Sequence, residues 1–147
     1  GRGEMIPNAR SFCEIDSETV DRFKIPVLRF HFAWSEHELR QAQHMRAVFT
    51  ELITLMGGDP QSPASSRTAP ISIGGSIIHE VGTVCMGDDP QQSALNGFCQ
   101  AHDAKNLFVC DGGSFVSNPD KNPTLTINAL AWRASEYLAE EMRSGNL

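Results

Sequence analysis

No apolar run approaches the roughly 20 residues that a membrane-spanning helix needs. Positive charge is scarce: 12 Lys and Arg stand against 18 Asp and Glu in 147 residues, a net charge of −6. That balance argues against a nucleic-acid binder, which clusters positive charge to release counterions from phosphates. Cysteine is sparse and unpatterned. Cys13, Cys85, Cys99 and Cys110 form no C-x-x-C pair and no zinc spacing. They read as buried or half-buried thiols, with a disulfide, and hence the redox compartment, left open. No apolar signal segment opens the chain, and Gly1-Arg2-Gly3-Glu4 reads as the interior of a longer protein. What is present is an ordinary globular mix, 40% hydrophobic and 20% charged. That mix excludes wholesale disorder, and the length suits about one domain.

Patterning divides the chain. Residues 27–34 alternate, with Leu28, Phe30, Phe32 and Trp34 on one face and Val27, Arg29, His31 and Ala33 on the other, which predicts a strand beginning just after Pro26. Residues 10–15 are a second strand candidate, followed by a polar turn at Asp16-Ser17-Glu18. Residues 36–56 read as an amphipathic helix. Ser35 and Glu38 make a capping box, apolar residues recur three and four apart, and Gly57-Gly58 stops it. Residues 59–70, rich in Pro and Ser, read as a linker with a boundary near 67, dividing 1–67 from 68–147. Residues 71–78 look extended, broken at Gly74-Gly75, and 106–111 look like a buried strand entering the turn Asp111-Gly112-Gly113. A last helix is expected from Pro123 to about Met142, with Asn122 as its N-cap and an apolar stripe of Leu125, Ala129, Trp132, Leu138 and Met142.

Three constellations carry chemistry. His79 ends the extended run beside glycines that let backbone approach a ligand. Asp111 is delivered by a strand to a glycine turn, a place suited to binding a polyol or ribose. Asn122-Pro123-Thr124 opens a helix whose free N–H groups favour negative charge. Each has a plainer reading: a hydrogen-bonded structural histidine, an aspartate stabilising its own turn, an asparagine that only caps.

Taken in order, H-E-V-G-T-V-C-M-G-D-D-P at 79–90, N-L-F-V-C-D-G-G-S-F at 106–115 and N-P-T-L-T-I-N-A-L-A-W-R-A at 122–134 make the stretch from Ile77 to Met142 resemble the C-terminal part of the glucose–methanol–choline oxidoreductases. Residues 1–65 resemble the end of that family's substrate domain, and the motif forms are similar to its pyranose oxidase and sugar dehydrogenase branch. The resemblance implies an α/β (α+β) chain: part of a substrate-binding sheet backed by a helix (1–67), then the active-site segment with the last strand and helix of an FAD domain (68–147). It implies FAD as cofactor, a small alcohol or sugar as substrate, His79 and Asn122 as catalytic residues, and Asp111, Gly112, Pro123 and Thr124 as cofactor-binding residues. His79 would take the alcohol proton while hydride passes to the flavin, and the final helix would stabilise the charge that develops there.

The family's G-x-G-x-x-G fingerprint is missing here, so an N-terminal FAD-binding portion, in the same polypeptide or a separate chain, is the expected partner. The electron acceptor (oxygen, quinone or cytochrome) and the compartment stay open. A non-catalytic partner subunit or binding module keeping the family fold is the alternative. His31, His37 and His44 make no metal site, since His37 and His44 lie seven apart on a helix. Ser114, His79 and Asp111 suggest a hydrolase triad, but no G-x-S-x-G elbow supports it. Trp132 and Phe49 are core candidates.

Overall fold

A computed structural model of the chain describes residues 1–61, 71–76 and 78–147. Most of the expected 59–70 linker, its boundary at 67, and Ile77 lie outside the described residues. The chain mixes helix and strand and separates into two compact units, Gly1–Ile77 and Ile78–Leu147.

In the first unit, β1 (Phe12–Val20) pairs antiparallel with β2 (Pro26–His31). Opposed residues share a face, so Cys13 and Ile15 join Phe30 and Leu28, while Phe12 and Glu14 join His31 and Arg29. The apolar face lies open, with Ile15, Leu28 and Phe30 all more than half exposed, because a lone two-stranded ribbon has nothing of its own to bury against. Pro26 is the first residue of β2 rather than its predecessor. The turn expected at Asp16-Ser17-Glu18 does not end the strand. The Asp16 carboxylate accepts the Glu18 and Thr19 amides, making a local irregularity inside β1. The chain reverses later, where Asp21 accepts from Phe23 and Ile25 and Lys24 takes a positive φ of 64°.

Helix α1 (Glu36–Leu55) starts at the capping box and ends in a Schellman motif: Gly57 bonds Thr54, Gly58 bonds Ile53, and Gly57 has φ 79°. The buried Glu38 carboxylate also accepts the Ile6 amide, tying the amino-terminal segment to the helix start. Burial would raise its pKa, but bonds from the Ser35 hydroxyl and from the Ile6 and Ser35 amides hold it below the usual range. Phe49 is not core. It is 45% exposed, with the chain start at Gly1 lying against one edge of its ring. The break expected at Gly74-Gly75 is a turn, with Ser76 bonded back to Ile73 and Gly75 at φ 76°, and residues 71–73 before it form no strand.

The second unit is built of loops, a short 3-10 turn (Gly112–Ser114) and α2 (Thr124–Arg143). Its buried apolar residues are Leu95, Cys99, Phe115 and Ala134. Tyr137 stacks on Phe98 at 4.3 Å, and its hydroxyl donates to Gln100. The packed side of α2 therefore runs through Ile127, Ala134 and Tyr137. Leu125 and Trp132 lie on the opposite side, 80% and 71% exposed, because nine residues at about 100° each separate Leu125 from Ala134 by half a turn. The expected stripe thus mixed two faces, and Trp132 is not core. Residues 106–111 are not a buried strand either. Phe108 makes one bridge to Gln100, while Leu107 and Cys110 are exposed. All four cysteines are free thiols; Cys99 is buried and Cys13 and Cys85 half-buried. Among the described residues, no helix is long and apolar enough to cross a membrane.

Candidate functional site

Backbone bonds join the first two motifs in the second unit, and a side chain of the third lies against them. Gly82, Val84 and Met86 donate to the carbonyls of Gly112, Gly113 and Ser114 at 2.9, 2.9 and 3.0 Å. This ladder zips the segment following His79 onto the glycine turn. The contact at the glycine is close: a Cβ on Gly112 would meet Val81 Cγ1 at 3.0 Å and Ile127 Cδ1 of α2 at 3.5 Å. The ladder therefore sits directly against the first turns of α2.

His79 is half-buried and does not continue an extended run. Its φ is 79°, in the left-handed region that non-glycine residues seldom occupy. Its carbonyl accepts from Asn118 Nδ2 at 2.9 Å across 39 residues. The sequence reading missed Asn118. It lies in the polar stretch Ser117-Asn118-Pro119-Asp120, where the residue pattern gives only a turn.

Asp111 is exposed and caps the 3-10 turn, its Oδ1 accepting the Gly113 amide at 2.7 Å. The plainer reading of this residue, turn stabilisation, is thus realised in one carboxylate oxygen. Beside it, desolvation, then Cys99 and Asp111, push the Cys110 thiol above its ordinary pKa, so it stays protonated near neutrality. Ser114 is fully buried and donates to the Asp111 carbonyl, an arrangement that keeps its hydroxyl from acting as a nucleophile.

Helix α2 begins one residue later than expected. The cap is Pro123, buried and without a side-chain cap bond, rather than Asn122. The Pro123 carbonyl accepts the Ile127 amide at 2.9 Å, which makes it the cap, although its own dihedrals are helical (φ −81°, ψ −15°). Asn122 and Thr124 flank it, both exposed. The amides of residues 124–126 precede the Ile127 amide, which donates to Pro123, and form the positive end of the helix. Among the described residues, no three His, Cys, Asp or Glu side chains are grouped to hold a metal.

This arrangement can be set beside known proteins. The family model described as GMC oxidoreductase matches residues 7–131. The chain is 29% identical over 137 residues to a 2-methyl-1,2-propanediol dehydrogenase of Mycolicibacterium austroafricanum, covering 93% of this chain and 24% of that protein. It is 25% identical over 136 residues to a gluconate 2-dehydrogenase flavoprotein of Pantoea cypripedii, covering 89% and 22%. It is 30% identical over 128 residues to a paromamine 6'-oxidase of Streptomyces fradiae, covering 87% and 23%. The chain thus spans about a quarter of the length of the curated relatives it matches.

Proposed function

The chain belongs to the GMC oxidoreductase family, and from that premise we propose that it supplies the proton-accepting site and the carboxy-terminal part of the flavin domain of an FAD-dependent oxidoreductase acting on an alcohol or sugar hydroxyl. The observation that carries this reading is the ladder from Gly82–Gly112 to Met86–Ser114. It joins the His79 segment to the Asp111 turn, with α2 packed against Gly112. Residues 1–67 are assigned to the substrate domain and 68–147 to the active-site segment and the end of the flavin domain.

The donor set suits a flavin. Asp111 spends one oxygen on Gly113 and leaves the other to accept from a ribityl hydroxyl. Gly112 lets the turn pack tightly, and Pro123 and Thr124 open a helix whose amides suit a carbonyl-rich pyrimidine edge. FAD, when bound, supplies the hydride acceptor.

The chain's own part is proton transfer and orientation. An alcohol C–H bond yields hydride readily only as the O–H proton departs. An imidazole accepts such a proton, and His79 fills that role. Asn122 holds the substrate oxygen so that its C–H bond is oriented for transfer. The amides at the start of α2 stabilise negative charge developing nearby. The remaining flavin contacts come from an N-terminal FAD-binding portion, in the same polypeptide or a separate chain.

The test is spectroscopic. This chain is produced together with a family FAD-binding portion that carries G-x-G-x-x-G. The expected result is a bound flavin spectrum that bleaches when an alcohol or sugar is added without air. A flavin that binds and never bleaches across a panel of alcohols and sugars would favour a non-catalytic subunit instead.

A further inference from the structure

We infer that Asn118 is a positioning residue that sets the backbone of His79 and couples it to Asn122. This rests on His79 being the proton acceptor. His79 holds a φ of 79° without the freedom of glycine, so its surroundings must stabilise that conformation. On its carboxy-terminal side, the ladder through Gly82 begins three residues on. At His79 itself, the carbonyl is held by Asn118 Nδ2 at 2.9 Å, between two half-buried residues. Preceding Ile78 is 68% exposed and contributes little packing.

Asn118 also stands in the loop between the 3-10 turn and α2, four residues before Asn122. One amide therefore ties the loop that leads to Asn122 to the peptide from which the His79 imidazole projects. Losing that donor frees the His79 peptide to leave the left-handed region and changes its spacing from Asn122. Proton transfer and substrate orientation then suffer together.

The experiment uses the full flavoenzyme containing this chain, with FAD bound. Asn118→Asp keeps the side chain's shape and removes the donor, whereas Asn118→Gln keeps the amide. Two quantities are read: the flavin reduction rate at saturating alcohol, and hydrogen exchange of amides 78–82, which is independent of turnover. Asn118→Asp is expected to slow reduction roughly ten- to hundredfold with FAD retained, and to speed exchange at 78–82 by at least about tenfold. Asn118→Gln should recover part of both. In a His79→Gly background, where glycine adopts the positive φ unaided, Asn118→Asp should change exchange far less.

If Asn118→Asp loses FAD, Asn118→Ala takes its place with the same expectations. Unchanged exchange, or faster exchange with unchanged reduction, overturns the inference. If His79→Ala slows reduction and the Asn118 variants do not, only the Asn118 role falls. If His79→Ala leaves reduction untouched, the proton-acceptor reading falls and takes this role with it.

Discussion

The Gly82 amide donates to the Gly112 carbonyl at 2.9 Å, and a side chain on either glycine would meet a different obstacle. Gly82 has φ 86°, and a Cβ there would also stand 3.3 Å from the Phe115 carbonyl. Gly82→Ala should cost about 1–2 kcal/mol through backbone strain. A Cβ on Gly112 instead meets Val81, the Glu80 carbonyl and Ile127 together. Gly112→Ala should cost about 1–3 kcal/mol through overpacking. Gly97 has open space around it and serves as the control, with Gly97→Ala within about 0.5 kcal/mol of the parent. Urea midpoints read by far-UV circular dichroism decide all three; a Gly112→Ala protein as stable as Gly97→Ala would mean the turn does not pack tightly on the segment after His79.

Glu38 is a buried carboxylate with donors from Ser35 and from Ile6, which is 32 residues away in sequence. Its native pKa is lowered. The charge therefore stabilises the fold fully above the unfolded value, and that contribution fades as pH falls through the native one. Glu38→Gln should lose about 1–2 kcal/mol near neutrality. It should also flatten the fall in stability on acidification. Denaturant titrations at neutral and acidic pH check both, and parallel pH profiles for the two proteins would contradict the assignment.

Asp16 makes the same kind of argument inside the hairpin. The amides of Glu18 and Thr19, and then Arg29, hold its carboxyl down at about 2 from an ordinary 3.8. Its contribution is complete above about 3.8 and disappears as pH falls toward about 2. Asp16→Asn should therefore make hydrogen exchange at the Glu18 and Thr19 amides faster at mildly acidic pH and nearly insensitive to acid in that window. Exchange in the variant that still accelerates as steeply as in the parent would assign the acid sensitivity elsewhere.

What could be read in the sequence was local. The capping box at Ser35 and Glu38, the Gly57-Gly58 stop, and the start of the last helix within one residue of Pro123 all follow from neighbouring residues. The motifs that resemble the family carried the membership. What could not be read depends on distant partners. Asn118 reaches across 39 residues to a carbonyl, which no spacing rule encodes. Phe49 and Trp132 are apolar at helical spacing yet stand open, because periodicity marks a face without saying what covers it. The positive φ of His79 was equally hidden, since glycine and not histidine signals the left-handed region.

The proton-acceptor role proposed for His79 gives the sharpest functional prediction. His79→Ala removes the imidazole and leaves Asp111, Gly112, Pro123 and Thr124 in place, so FAD retention should not change. Alanine, like histidine, lacks the freedom of glycine at φ 79°, and the Asn118 bond is to the backbone carbonyl, which alanine keeps. Stability should therefore stay close to the parent, which separates chemistry from folding. Flavin reduction at saturating alcohol should slow by about 10²- to 10⁴-fold, the range for loss of a positioned general base. Stopped-flow flavin reduction measures this, and a variant that reduces its flavin at the parent's rate would remove His79 from the chemistry.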